Sequence, residues 1–141
     1  MGHALMENRH GLIVDGRVSE AGGTAGRDEA QAMLGAVPGR HPITVGAEKG
    51  HDTQDVVAGV RGLKAAPHVA RSTGSRRSAI DGRTTRRPGH ESSRRARKRI
   101  EEMALLRRAR HRGRDRIEWQ LKLAAAACNL VRMPRRLGAA A

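Results

Sequence analysis

The chain has no phenylalanine, no tyrosine, one tryptophan (Trp119) and one cysteine (Cys128). The missing rings exclude the aromatic platforms on which single-strand binders stack bases. A lone thiol excludes an internal disulfide and a thiolate zinc cluster, and Cys128 reads as a small apolar residue on a helix. Long apolar runs are lacking as well: the longest, residues 123–128, falls far short of the roughly 20 needed to cross a bilayer. The N-terminus has no basic segment followed by an apolar stretch. The expectation is a cytoplasmic protein with no membrane partner. Large aliphatics are scarce too, with 24 Leu, Ile and Val among 141 residues, or 17%. That lies below the roughly 20% at which high net charge begins to imply disorder. The 22 alanines bury little area each, so a well-stabilised autonomous core is not expected.

What the chain has in abundance is positive charge, 28 Lys and Arg against 14 Asp and Glu. It is unevenly spread. Residues 1–70 carry 7 basic and 8 acidic side chains, whereas residues 71–141 carry 21 and 6. Arginine supplies 24 of the 28 cations, and its planar fork suits phosphate oxygens. The second half therefore reads as a surface for nucleic acid, although charge alone binds any polyanion without sequence preference.

Periodicity divides the first half into alternating elements. Residues 3–20 read as a β-hairpin with a polar turn near 8–11 and Leu12, Val14 and Val18 as apolar positions. Thr24 is placed to cap a helix bearing Ala30, Met33, Leu34 and Val37, ended by Pro38-Gly39. Ile43-Thr44-Val45 reads as a buried strand running into a loop over 46–50, which sets Glu48 just past the strand end. Asp52 is placed to cap a second helix with Val56, Val57, Val60 and Leu63 on one face, and a short strand follows at 68–70. Strand and helix alternate with short connections, so the class is α/β. Residues 71–90, rich in Arg, Ser, Thr and Gly, read as an extended loop. Residues 91–112 read as a basic helix with Ile100, Met103, Ala104, Leu105 and Leu106 to pack. A last helix over 115–132 has Ile117, Leu121, Ala124, Ala125 and Cys128 as its apolar stripe, and Trp119 is expected in the core.

No Ser-His-Asp set, phosphate-cradling glycine loop or Cys/His metal cluster can be drawn, and the seven histidines read as ordinary surface or loop residues. A carboxylate pair remains: Glu48 after a strand and Glu101 on the basic helix. Two carboxylates brought together in this way suit Mg²⁺ and phosphoryl transfer, although any α/β chain has acidic residues in such places.

The segments GHALMENRHGLIVDGRV, RDEAQAML, ITVGAEKGHD, PHVARSTGSRRSAIDGRTTRRPG, RKRIEE and LAAAACNLVRMP resemble, in order and spacing, the C-terminal part of bacterial insertion-sequence DDE transposases. The resemblance implies a ribonuclease-H-like domain in which two Asp and one Glu bind two divalent metals, Mg²⁺ or Mn²⁺, for DNA cleavage and strand transfer. The family's first catalytic Asp lies on a strand upstream of Gly-His-Ala-Leu-Met and has no counterpart here. Its second belongs in a Gly-Ala-Asp-Lys-Gly-Tyr-Asp loop, where this chain has Glu48, one methylene longer. The catalytic Glu maps to Glu101, with Arg97 four residues before it on the same helix face. The family's following Val-Phe-Gly-Trp segment is missing, and Arg108 falls at the signature Lys position.

The resemblance thus implies an incomplete ribonuclease-H-like fold: a mixed sheet lacking its first strand, with two unpaired strand edges, followed by basic C-terminal helices. Residues 1–70 are the partial core, 71–90 the Arg/Ser/Gly-rich loop, and 91–141 the basic helical segment carrying the catalytic Glu. The expected site residues are Glu48 and Glu101 for catalysis and metal. Those expected on DNA are Arg94, Arg95, Arg97, Lys98, Arg99, Arg107, Arg108, Arg110 and Arg112. The function expected is that of a degenerate transposase inactive on its own. The alternative is a non-catalytic DNA-binding remnant that interferes with intact transposase subunits, and a basic protein unrelated to that family would explain the charge but not the motif order.

Overall fold

The computed structural model describes residues 1–39, 42–72, 78–86 and 113–134. In chain order the elements are β1 (Gly2–Met6), β2 (Ile13–Val18), α1 (Ala25–Gly35), β3 (Ile43–Ala47), a 3-10 turn (Lys49–His51), α2 (Gln54–Gly62), β4 (Ala65–Val69), α3 (Gly82–Thr85) and α4 (Arg114–Arg132). The chain is mixed α/β, and it divides into two compact units, Met1–Ala30 with Glu102–Ala141, and Gln31–Glu101. The α/β class expected from the alternation is observed, and the mixed sheet that the resemblance implies is not joined among the described residues. There are two two-stranded sheets, β1-β2 and β3-β4.

In the first unit, β1 and β2 pair antiparallel from Gly2 opposite Val18 to Leu5 opposite Asp15; Met6 then faces Ile13. Val14 is the residue left over, a bulge. That corrects its expected apolar position: Val14 is 55% exposed while Val18 is buried. The Glu7 carboxylate organises the turn by accepting from the backbone N–H groups of Arg9 and His10. The loop closes through Glu7 N to Leu12 O at 2.9 Å and Gly11 N to Glu7 O at 3.0 Å. Gly11 has φ +70°, a backbone state that favours glycine.

Helix α4 packs on β2. Its stripe is as expected, with Leu121 buried and Ile117, Ala124, Ala125 and Cys128 half-buried. Leu121 lies 3.6 Å from where a side chain on Gly16 would begin, so the glycine lets the helix approach closely. Three polar side chains of α4 also bond the hairpin backbone. Asn129 accepts from Ile13 N and donates to Ile13 O, each at 2.8 Å. Arg114 Nε donates to Val18 O at 3.0 Å, and Arg132 donates to Gly11 O. Trp119 is not in the core: it is 65% exposed, because it lies on the side of α4 opposite Leu121.

In the second unit, β3 and β4 are parallel, Ile43 beside Ala65 through Ala47 beside Val69. Strand β3 is not buried as expected; it alternates, with Thr44 and Gly46 exposed, which suits a strand packed on one face. Helix α2 buries Val56, Val57 and Val60 at the three-and-four spacing of one face. Leu63 follows the helix end and is 44% exposed, because Lys64 at φ +58° turns the chain into β4. Val57, Val69 and Ile80 form the central cluster, with Ala47 and Ala79 against it. Within the expected loop, Ile80 is buried, and Asp81 caps α3 by accepting from Thr84 N at 3.0 Å and Thr84 Oγ1 at 2.7 Å. Two histidines also depart from the surface reading. His68 is buried in β4, and His3 Nε2 lies 2.7 Å from Ser19 Oγ in a half-buried pair.

Candidate functional site

Parallel pairing of β3 and β4 brings both carboxyl ends to one edge, the edge at which open α/β sheets collect ligands. The chain leaves β3 directly into Glu48, where extended backbone (φ −74°, ψ 168°) starts the 3-10 turn. The Glu48 carbonyl accepts from His51 N at 2.9 Å; its side chain makes no capping bond and is exposed. On the neighbouring strand, Ala70 N donates to Ala47 O at 3.0 Å, and the chain continues through exposed Arg71.

Asp52 does not cap α2. Thr53 holds that position, without a side-chain bond. Asp52 instead turns inward, 7% exposed, and accepts from Ser72 N at 2.6 Å on one oxygen and from Ala79 N at 2.8 Å on the other. One carboxylate thereby ties both ends of the 72–79 segment to the carboxyl edge of the sheet. Burial pushes the Asp52 carboxyl upward, but donors from Ser72, Ser78, Ala79 and Ile80 together outweigh it and hold the group below its ordinary 3.8. Spacing offered no sign of this clamp, since an Asp just ahead of a helix looks the same whether it caps the helix or reaches across it.

The family resemblance implies a divalent metal held by Glu48 and Glu101. Asp52 has each oxygen engaged by a backbone N–H, which leaves Glu48 as the solvent-facing carboxylate that follows β3. Among the described residues, no three His, Cys, Asp or Glu side chains converge as metal ligands. Glu101, the other expected ligand, lies outside the described residues. So do the basic helix over 91–112 and all nine expected DNA contacts, Arg94, Arg95, Arg97, Lys98, Arg99, Arg107, Arg108, Arg110 and Arg112.

The cations that are described divide by use. Arg114 and Arg132 hold the hairpin backbone, as above. Arg17 bridges Asp15 at 2.9 Å, and Lys122 bridges Glu118 at 2.7 Å one helical turn away, holding the Glu118 carboxyl below its usual value. Arg71, Arg86 and Arg116 are exposed. No described helix is long and apolar enough to cross a membrane. Comparison with protein-family models, with curated proteins and with solved structures finds no match to this chain.

Proposed function

We propose that this chain is a DNA-binding protein derived from an insertion-sequence transposase of the DDE type, with a ribonuclease-H-like core, and unable to cleave DNA on its own. The motif order from GHALMENRHG to LAAAACNLVRMP supports the derivation. The binding half of the reading rests on charge, 21 basic against 6 acidic side chains over residues 71–141. Arginine forks in that number neutralise phosphates and release counterions whatever the base sequence. A protein of this kind, working in the cytoplasm, competes with intact transposase subunits for DNA.

The observation that carries the non-catalytic half is Glu48, which stands where the family has a catalytic aspartate and is exposed just past β3. With Asp52 used structurally, Glu48 is the carboxylate that follows β3 into solvent. Two-metal strand transfer needs several carboxylates on both ions. A glutamate where the family has aspartate displaces its oxygens by on the order of 1 Å, enough to cost about 100-fold in an in-line reaction. Mg²⁺, with its strict octahedron, tolerates that poorly.

The experiment is nicking of supercoiled plasmid by the purified chain in Mg²⁺ and in Mn²⁺, with Glu101→Gln as control and DNA binding followed across a salt series. The expected result is binding that weakens by decades as salt rises, with no nicking. Nicking that disappears in Glu101→Gln would establish Glu101 as catalytic and overturn the reading.

A further inference from the structure

Among the described residues β2 pairs with β1 alone, so its far side is a strand edge. The ladder fixes which backbone groups face that way. Met1 and Ser19 exchange both of their bonds, Met1 N to Ser19 O and Ser19 N to Met1 O, and bonded and non-bonded pairs alternate along an antiparallel ladder. Counted from Ser19, Val18 and Gly16 turn their N–H and C=O groups outward, and beyond the bulge at Val14 so does Ile13. Helix α4 reaches this row at both ends. Arg114 Nε donates to Val18 O at 3.0 Å. The Asn129 carboxamide accepts from Ile13 N and donates to Ile13 O, each at 2.8 Å, which is the pair of bonds that a residue of an added strand would make. The rise from Arg114 to Asn129 is about 22 Å and β2 spans about 17 Å, so the two side chains bracket the strand. Between them Leu121 lies 3.6 Å from where a side chain on Gly16 would begin, which keeps helix and strand close.

We propose that α4 guards the edge of β2: its side chains fill the bonding positions of a further strand, and their removal turns the hairpin into a template for one. Three observations select a guard over a simple tie between helix and hairpin. Asn129 satisfies the donor and the acceptor of one residue together, and Arg114 takes an outward carbonyl at the other end of the same row. The strand itself has weak protection, because Asp15 and Arg17 bridge each other at 2.9 Å and leave it without the net charge that deters pairing. The second unit closes an edge by other means. Ala70 N donates to Ala47 O, so Ala66, His68 and Ala70 are the β4 residues that bond β3 in the parallel ladder. Pro67 falls where an N–H would face outward, and proline has none to offer. No proline stands in β2, and there the side chains of α4 do the blocking. The guard is independent of the DNA-binding reading and stands or falls separately from it.

The test compares the full chain with Asn129→Ala and Val18→Ala. Each is held at about 100 µM, in the range where exposed strand edges associate, and followed by light scattering, thioflavin T emission and the infrared band of intermolecular β-sheet. Losing both Asn129 bonds raises the fraction of chains with an open edge by about 10-fold. Asn129→Ala is therefore expected to assemble several-fold faster than the parent, with the intermolecular band. Val18→Ala trims a buried side chain but keeps the backbone groups and both side chains that bond them, and is expected to lose stability without faster assembly. Amide exchange at Ile13 reports the edge directly. The N–H is slow to exchange in the parent, fast in monomeric Asn129→Ala and slow again in its assemblies. Asn129→Ala assembling no faster than the parent would overturn the proposal. So would Val18→Ala assembling as fast as Asn129→Ala, which is the outcome if lost stability alone drives association. Assemblies in which the Ile13 N–H still exchanges freely would also overturn it, by placing the contact elsewhere.

Discussion

Asp52→Asn tests whether a single carboxylate ties down the segment after β4. Asparagine keeps the size and one acceptor oxygen, but it turns an NH₂ group toward the second backbone donor. Whichever way the amide sits, either the Ser72 N bond at 2.6 Å or the Ala79 N bond at 2.8 Å is lost and donor faces donor. A hydrogen bond to a charged group contributes about 1.5–3 kcal/mol, and a buried donor left unsatisfied costs about 1–3 kcal/mol. The net loss for Asn is about 2 kcal/mol, and for Asp52→Ala, which strands both donors, about 3 kcal/mol. The assay is urea unfolding by circular dichroism together with tryptic cleavage after Arg71 and Arg86, the exposed arginines that flank the tied segment. If cleavage tracks the open population, 2 kcal/mol corresponds to about 30-fold faster nicking at these sites. The sign with pH follows from the lowered carboxyl: the unfolded chain binds the proton more readily. The contribution is therefore complete above the ordinary value of 3.8 and disappears as pH falls through the lower folded value. Asp52→Asn should abolish this acid dependence. A variant within about 0.5 kcal/mol of the parent, with unchanged cleavage, falls in the range of ordinary surface substitutions and would refute the clamp.

Other substitutions probe the rest of the fold. Asn129→Ala removes both bonds to the Ile13 backbone and should cost about 1–2 kcal/mol in thermal unfolding, with no effect on DNA affinity. Leu121→Ala empties the contact of α4 with the hairpin and should cost about 2–4 kcal/mol, read in the same way. Lys64→Gly relieves a left-handed residue at φ +58° and should stabilise by about 1 kcal/mol, visible as a higher urea midpoint. Gly59→Ala sets a methyl 2.0 Å from Gln31 Oε1, the far end of a flexible side chain that can swing aside. The gain in helix propensity should therefore prevail by up to about 1 kcal/mol.

The elements that periodicity located are those whose apolar stripe repeats along the element itself. Val56, Val57 and Val60 recur at helical spacing and are buried; Leu121 and its neighbours behave likewise on α4. What the pattern did not reveal depended on partners far away in the chain. Val14 alternates correctly with Val18, yet a one-residue slip between Leu5 and Met6 pushes it out of the ladder. Ile80 sits among Arg, Ser and Gly, so its burial against Val57 and Val69 has no neighbours in sequence to announce it. Trp119 looked like core because of its size, but the hairpin covers only the other stripe of α4. Of the expected site, the placement of Glu48 past a strand end followed from Ile43-Thr44-Val45 and is as observed. The inward turn of Asp52 was illegible, because the backbone donors it needs belong to a segment some 20 to 27 residues further on.

The scarcity of large aliphatics explains why so much of this fold is held by polar side chains on backbone. The described core is five Val, two Leu and one each of Met, Ala and Ile, and area burial at roughly 25 cal/mol per Å² leaves little margin over chain entropy. Glu7, Asn129, Asp81, Arg132 and Asp52 each fasten a turn, strand or loop by bonding its backbone N–H or C=O groups. Such bonds respond to salt differently from exposed ion pairs. The Asn129 contacts are neutral, and the Asp52 contacts are buried, where screening is weak. Salt across the physiological range should therefore weaken the proposed DNA contacts without loosening either compact unit. Unfolding and dissociation then occur under separate conditions, so a loss of DNA binding at raised salt with unchanged circular dichroism reports phosphate contacts and not a melting protein.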